Sequence, residues 1–115
     1  MRIDIDDTDL DEDAHYLYEG RPFTGTLVDT NDQGIVVGEL TVTDGVPDGY
    51  QRGWYQDGRR HFDIPLVAGG PVGTSRRWYP NGRLAQEKQF TDDGDLIAIR
   101  RWAEDGTPLD PADPA

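Results

Sequence analysis

The chain has 115 residues, with 23 Asp and Glu against 11 Lys and Arg and a formal net charge of −12. That length holds one domain or one short solenoid, and the absence of cysteine excludes a disulfide framework, a thiolate metal site and a cysteine nucleophile. No stretch approaches the ~18 apolar residues of a membrane span and Met1-Arg2-Ile3-Asp4 opens no apolar leader, so a soluble cytoplasmic protein is expected.

Residues 1–15 read as an acidic N-terminal arm. A run of like charge repels itself and rarely packs, so residues 1–13 are expected to fray. The best helix candidate is Asp9 to Tyr18, where Asp9 caps and Glu12 completes a capping box, although glycine and proline punctuation nearly excludes helix. The run Asp7-Thr8-Asp9-Leu10-Asp11-Glu12-Asp13 does not make a calcium loop: Glu12 holds the position that needs glycine, and Tyr18 the one that needs a bidentate glutamate.

From residue 16 to 109 the chain repeats itself. Trp54, Trp78 and Trp102 stand 24 residues apart, and Gly34, Gly58, Gly82 and Gly106 keep the same step. So do Gly25, Gly49 and Gly73; Arg52, Arg76 and Arg100; and Val42, Leu66 and Phe90. A fixed period in this range marks a repeat array. Each unit has a turn quartet such as Tyr79-Pro80-Asn81-Gly82, which describes a type I turn closed by a glycine bulge. A second turn follows half a period later, at Glu19-Gly20, Asp44-Gly45, Gly69-Gly70 and Asp93-Gly94. The intervening runs are short and rich in β-branched and aromatic residues, which indicates strands. The expected fold is all-β: an antiparallel meander of about eight strands built from four 24-residue hairpin repeats, as an open sheet or short solenoid. Residues 110–115 form a C-terminal tail.

Leu, Ile, Val and Phe make up 24 of the 115 residues, close to the level where high net charge brings disorder. The regular turns and eleven aromatics favour a folded chain. A two-stranded unit cannot bury its own apolar face, so the three tryptophans are expected to stack as a core ladder, with Gly34, Gly58, Gly82 and Gly106 serving the turns. Strand parity places Arg52, Arg76 and Arg100 on the tryptophan face, either lying over the rings or capturing an anionic partner.

The segments Gly49-Tyr50-Gln51-Arg52-Gly53-Trp54-Tyr55-Gln56-Asp57-Gly58-Arg59 and Gly73-Thr74-Ser75-Arg76-Arg77-Trp78-Tyr79-Pro80-Asn81-Gly82-Arg83-Leu84 resemble the bacterial variant of the MORN repeat, as does Tyr16 to Gly25. The resemblance covers about residues 16–109. Thr30 stands where the first aromatic belongs, and Ile97 replaces the opening glycine of the fourth repeat, as suits capping repeats. Proteins of this pattern include the YwqK family of antitoxin or immunity proteins, so the resemblance implies a protein that neutralises a cognate bacterial toxin.

The charge distribution fits a basic toxin as partner. Residues 1–48 hold 13 acidic residues against 2 arginines, whereas residues 49–115 hold 10 acidic and 9 basic ones. Such a field repels nucleic acid and anionic lipid and attracts basic proteins. Asp4, Asp6, Asp7, Asp9, Asp11, Glu12 and Asp13 are the candidate contacts, together with Arg52, Arg76 and Arg100. No catalytic constellation, metal site or cofactor motif is visible. His15 and His61 lack ligands at metal spacing, although His61 has Asp63 two residues on. Hence no enzyme is expected. The alternative is a non-catalytic scaffold for protein–protein interaction; lipid-headgroup binding is disfavoured by the charge. Oligomeric state stays open between a monomer and an edge-paired dimer.

Overall fold

The computed structural model describes residues 1–109; the expected tail at 110–115 lies outside them. Its strands are β1 (Arg2–Asp4), β2 (Asp9–Leu10), β3 (Tyr16–Tyr18), β4 (Arg21–Pro22), β5 (Gly25–Thr30), β6 (Val36–Thr43), β7 (Val46–Trp54), β8 (Arg60–Val67), β9 (Gly70–Pro71), β10 (Gly73–Trp78), β11 (Leu84–Phe90), β12 (Leu96–Trp102) and β13 (Pro108–Leu109). One 3-10 turn, Ile5–Asp7, follows β1. Strands β5, β6, β7, β8, β10, β11, β12 and β13 pair in chain order as an open antiparallel meander, the eight-stranded array the repeats imply. β1 joins one end parallel to β5, and β9 is a short extension on β8.

The turns follow the sequence signals closely. At one end of the strands, Asn31–Ile35, Tyr55–Arg59, Tyr79–Arg83 and Ala103–Thr107 each close with two backbone hydrogen bonds of 2.8–3.0 Å. Gly34, Gly58, Gly82 and Gly106 sit there with φ of 80° to 91°, a region that favours glycine. At the other end Asp44-Gly45 forms a two-residue hairpin with both residues at positive φ, the signature of a type I′ turn. The equivalent pair one repeat on is Ala68-Gly69, one residue earlier than the expected Gly69-Gly70. Asp93-Gly94 instead belongs to the five-residue turn Thr91–Asp95.

Two expectations are corrected. The first concerns residues 1–13, which do not fray. Ile3 pairs with Leu27 across the parallel β1–β5 contact, and both Ile3 and Ile5 pack on the core. Gly25 makes this possible, because a Cβ there would collide with the Met1 carbonyl that accepts from the Thr26 N–H at 2.9 Å. Burial of alternating isoleucines outweighs the repulsion among the carboxylates between them. β2 then pairs with β3, which pairs with β4, and this small sheet lies over one face of the meander.

The second correction concerns the core. Its buried residues are Phe23, Leu27, Leu40, Val42 and Leu66, with Tyr16, Tyr18 and Ile64 packed around them. None of the three tryptophans is among them; Trp54, Trp78 and Trp102 are all only partly buried. They stand at strand ends opposite Arg60, Leu84 and Pro108, and at the first two a register shift separates the tryptophan from the regular ladder. The column that does form the core is Val42 and Leu66, where the N-terminal sheet covers it. Its third member, Phe90, lies beyond that cover and remains partly exposed.

Candidate functional site

The acidic residues of the front end divide into those that build the backbone and those that face outward. Asp4 Oδ1 accepts the Asp6 N–H at 2.8 Å and caps the 3-10 turn. Asp11 Oδ1 accepts the N–H groups of Asp13 and His15 at 2.9 and 2.8 Å, which shapes the loop between β2 and β3. The His15 N–H leads the causes that hold the Asp11 carboxyl below its ordinary range. Asp6, Asp7, Asp9, Glu12 and Asp13 are exposed. Among the described residues, none of their side chains pairs with a cation. Five carboxylates are thus presented from an ordered edge rather than from a loose arm.

His15 was expected to lack a carboxylate neighbour, and the tight loop corrects this. His15 Nδ1 lies 3.3 Å from Asp11 Oδ2, and Asp11, Asp13 and His15 bring one ligand atom each within 4.8 Å of one another. The spacing Asp-x-Asp-x-His was the available signal, hidden because Ala14 bends the chain through a φ of 62°. The hydrogen bonds of Asp11 account for this geometry as loop closure.

The repeated arginines occupy the opposite face from the core. Register places Glu39, Arg52, Asp63, Arg76, Glu87 and Arg100 side by side across six strands, alternating in sign. Arg52 Nε reaches Asp63 at 3.4 Å and Arg76 Nε reaches Glu87 at 3.0 Å, while Arg2 pairs with Glu39. Arg52 and Arg76 are therefore each paired with a carboxylate of the next strand, and Arg100 stands in register with Glu87. The expected tryptophan contacts are also corrected: the Arg52 guanidinium lies 3.9 Å from the Tyr50 ring centroid, and it is Arg60 that approaches Trp78, at 5.7 Å. The register shifts before Trp54 and Trp78 interrupt the parity on which the expectation rested.

The tryptophans' backbone has a role the side-chain pattern concealed. Tyr55 Oη donates to the Trp78 carbonyl at 2.8 Å, and Tyr79 Oη to the Trp102 carbonyl at 2.7 Å. Arg59 Nη1 reaches the Pro80 carbonyl at 3.0 Å, and Asn81 Nδ2 the Glu104 carbonyl at 2.9 Å. The Tyr55–Arg59 and Tyr79–Arg83 turns are thus each hydrogen-bonded to the turn one repeat later. His61 stacks on Tyr55 with centroids 4.3 Å apart, and burial, then the Arg77 charge, holds it below its ordinary value.

No protein-family model matches the chain, and neither a curated protein nor a solved structure is detectably similar to it. No helix among the described residues is long and apolar enough to cross a membrane.

Proposed function

We propose that this chain is a cytoplasmic immunity protein of the MORN-like antitoxin type, which binds a basic bacterial toxin and blocks it without turnover. The supporting observation is the run formed by β1, the 3-10 turn, β2 and the loop between β2 and β3. It holds Asp6, Asp7, Asp9, Glu12 and Asp13 exposed and without cationic partners on fixed backbone, so association with a basic surface orders little additional chain. Charge complementarity of this kind acts chiefly on encounter rate and on the choice of partner. The repeat sheet supplies the rigid support.

The test is co-expression with each neighbouring open reading frame, followed by binding kinetics with any toxin that is neutralised. Asp6→Asn, Asp7→Asn, Asp9→Asn, Glu12→Gln and Asp13→Asn combined are expected to leave the fold intact. They should lower the association rate about tenfold or more at low ionic strength, with the difference shrinking as salt rises. A neutralised toxin that associates with this variant at the wild-type rate would remove the acidic edge from the interface.

A further inference from the structure

On the core-bearing face, register aligns Asp29, Gly38, Gly53 and Phe62 in one row across four strands. The two glycines leave a gap in the side-chain layer. Over Gly53 the gap is closed, because the Phe62 ring lies where a Cβ would project. Over Gly38 it stays open: a Cβ there would meet only Asp29 Cβ at 3.4 Å and the Arg52 carbonyl oxygen at 3.9 Å. The result is a notch of about 250 Å³, with Leu40 and Gln51 in its lining. Asp29 is exposed beside it, and among the described residues its carboxylate has no hydrogen bond or ion pair.

The internal repeat sets this notch apart. The column that contains Asp29 and Gly53 continues one and two periods later as Arg77 and Arg101, and the column of Gly38 continues as Phe62 and Gln86. An anionic wall with an open floor therefore occurs once, at the first repeat. Arg77 pairs with Phe62 on the next strand, on the side away from Gly38.

We propose that this notch receives a single arginine or lysine side chain from the basic partner, as the anchor of that interface. The inference rests on the reading of a basic partner given above. The carboxylate of Asp29 takes the cationic head, the Phe62 ring offers its face to the same charge, and Leu40 lies against the alkyl stem. Arginine fits better than lysine, because a planar guanidinium can stack on the ring and hydrogen-bond the carboxylate together.

The experiment uses Nα-acetyl-arginine methylamide titrated into the isotope-labelled full chain and followed by amide chemical shifts. Saturable shifts centred on Asp29, Gly38 and Gln51, with a dissociation constant of about 10–100 mM, are expected of one part-exposed ion pair with a ring contact and a covered alkyl stem. Asp29→Asn should weaken binding about fivefold, and Gly38→Val should abolish it by filling the gap. Shifts elsewhere in the spectrum report that both variants remain folded. Absence of saturable shifts at these amides, or undiminished binding by Asp29→Asn, overturns the proposal. Hexalysine that shifts residues 4–13 and leaves the notch amides unmoved also overturns it, while the acidic edge and the proposed function stand.

Discussion

The hydroxyl ladder between repeats gives the sharpest test of how the array holds together. All five buried apolar residues lie on β8 or before it, so strands β10 to β13 are held without a buried residue of their own. Their anchors include strand pairing, the alternating charges, the Arg59 and Asn81 bonds to the next turn and, part-buried, the Tyr55 and Tyr79 hydroxyls. Changing both tyrosines to phenylalanine removes two part-buried bonds of 2.8 and 2.7 Å and nothing else. A neutral hydrogen bond contributes about 0.5–1.5 kcal/mol net, and the two sites lie a full repeat apart, so the losses should add to about 1–3 kcal/mol. Urea unfolding should show this as a lower midpoint, by about 1 M for a slope near 1.5 kcal/mol per M. Because stability in repeat arrays is a sum of local and neighbour terms, the loss should fall on the distal strands. Amide exchange in β10 to β12 should quicken well beyond that in β5 and β6. A double variant within about 0.3 kcal/mol of wild type, or one with uniformly faster exchange, would refute the ladder as the link between repeats.

The core and His61 give three further outcomes. Leu27 is 1 % exposed, and Leu27→Ala should cost about 2–5 kcal/mol. Trp78→Ala should fall below the ~3–5 kcal/mol of a buried tryptophan, since that ring is only partly covered; the same urea experiment checks both, and a Trp78 cost equal to the full range would put the ladder of rings back in the core. His61 is held below the ordinary histidine value of about 6.5, so below that pH the unfolded chain binds more protons than the folded one. Wild type should therefore lose stability as pH falls from about 7 to 5.5, whereas His61→Phe keeps the stack on Tyr55 and should lose that slope. Parallel slopes for the two proteins would show that His61 is not its source.

Much of the fold was legible because its determinants are local. A glycine at positive φ after Asn or Asp is a property of a few adjacent residues, and the 24-residue step shows where each hairpin ends. The meander follows from counting turns, whereas its staying open rather than closing into a barrel does not. What the sequence concealed depends on parity and on distant contacts. Trp54 and Trp78 looked like the core because they are large and periodic, but a bulge beside each one breaks the alternation that would place it inward. The acidic arm looked unable to pack because its charges are contiguous, yet only Ile3 and Ile5 needed a partner, and Leu27 lies 24 residues downstream of Ile3. Of the candidate site, the acidic residues were visible as composition. Which of them are spent on the backbone was not, since Asp4 and Asp11 differ from their neighbours only in the loop they close.

The alternating row also decides where the molecule's field originates. Like charges directly opposite one another on adjacent strands are destabilising, and opposite ones contribute up to about 1 kcal/mol per pair. A 24-residue step that repeats Arg52, Arg76 and Arg100 on one face therefore demands an acid between them, which Asp63 and Glu87 supply. Sliding any of these strands by one residue would carry its charges to the core side of the sheet, so the row fixes register as well as neutrality. The same constraint leaves little net charge on that face of the distal repeats. Uncompensated carboxylates can accumulate only where no arginine column runs, and that is the N-terminal edge with its two arginines in 48 residues. A basic protein that comes within a screening length of the N-terminal end therefore meets more uncompensated negative charge there than on the distal repeats.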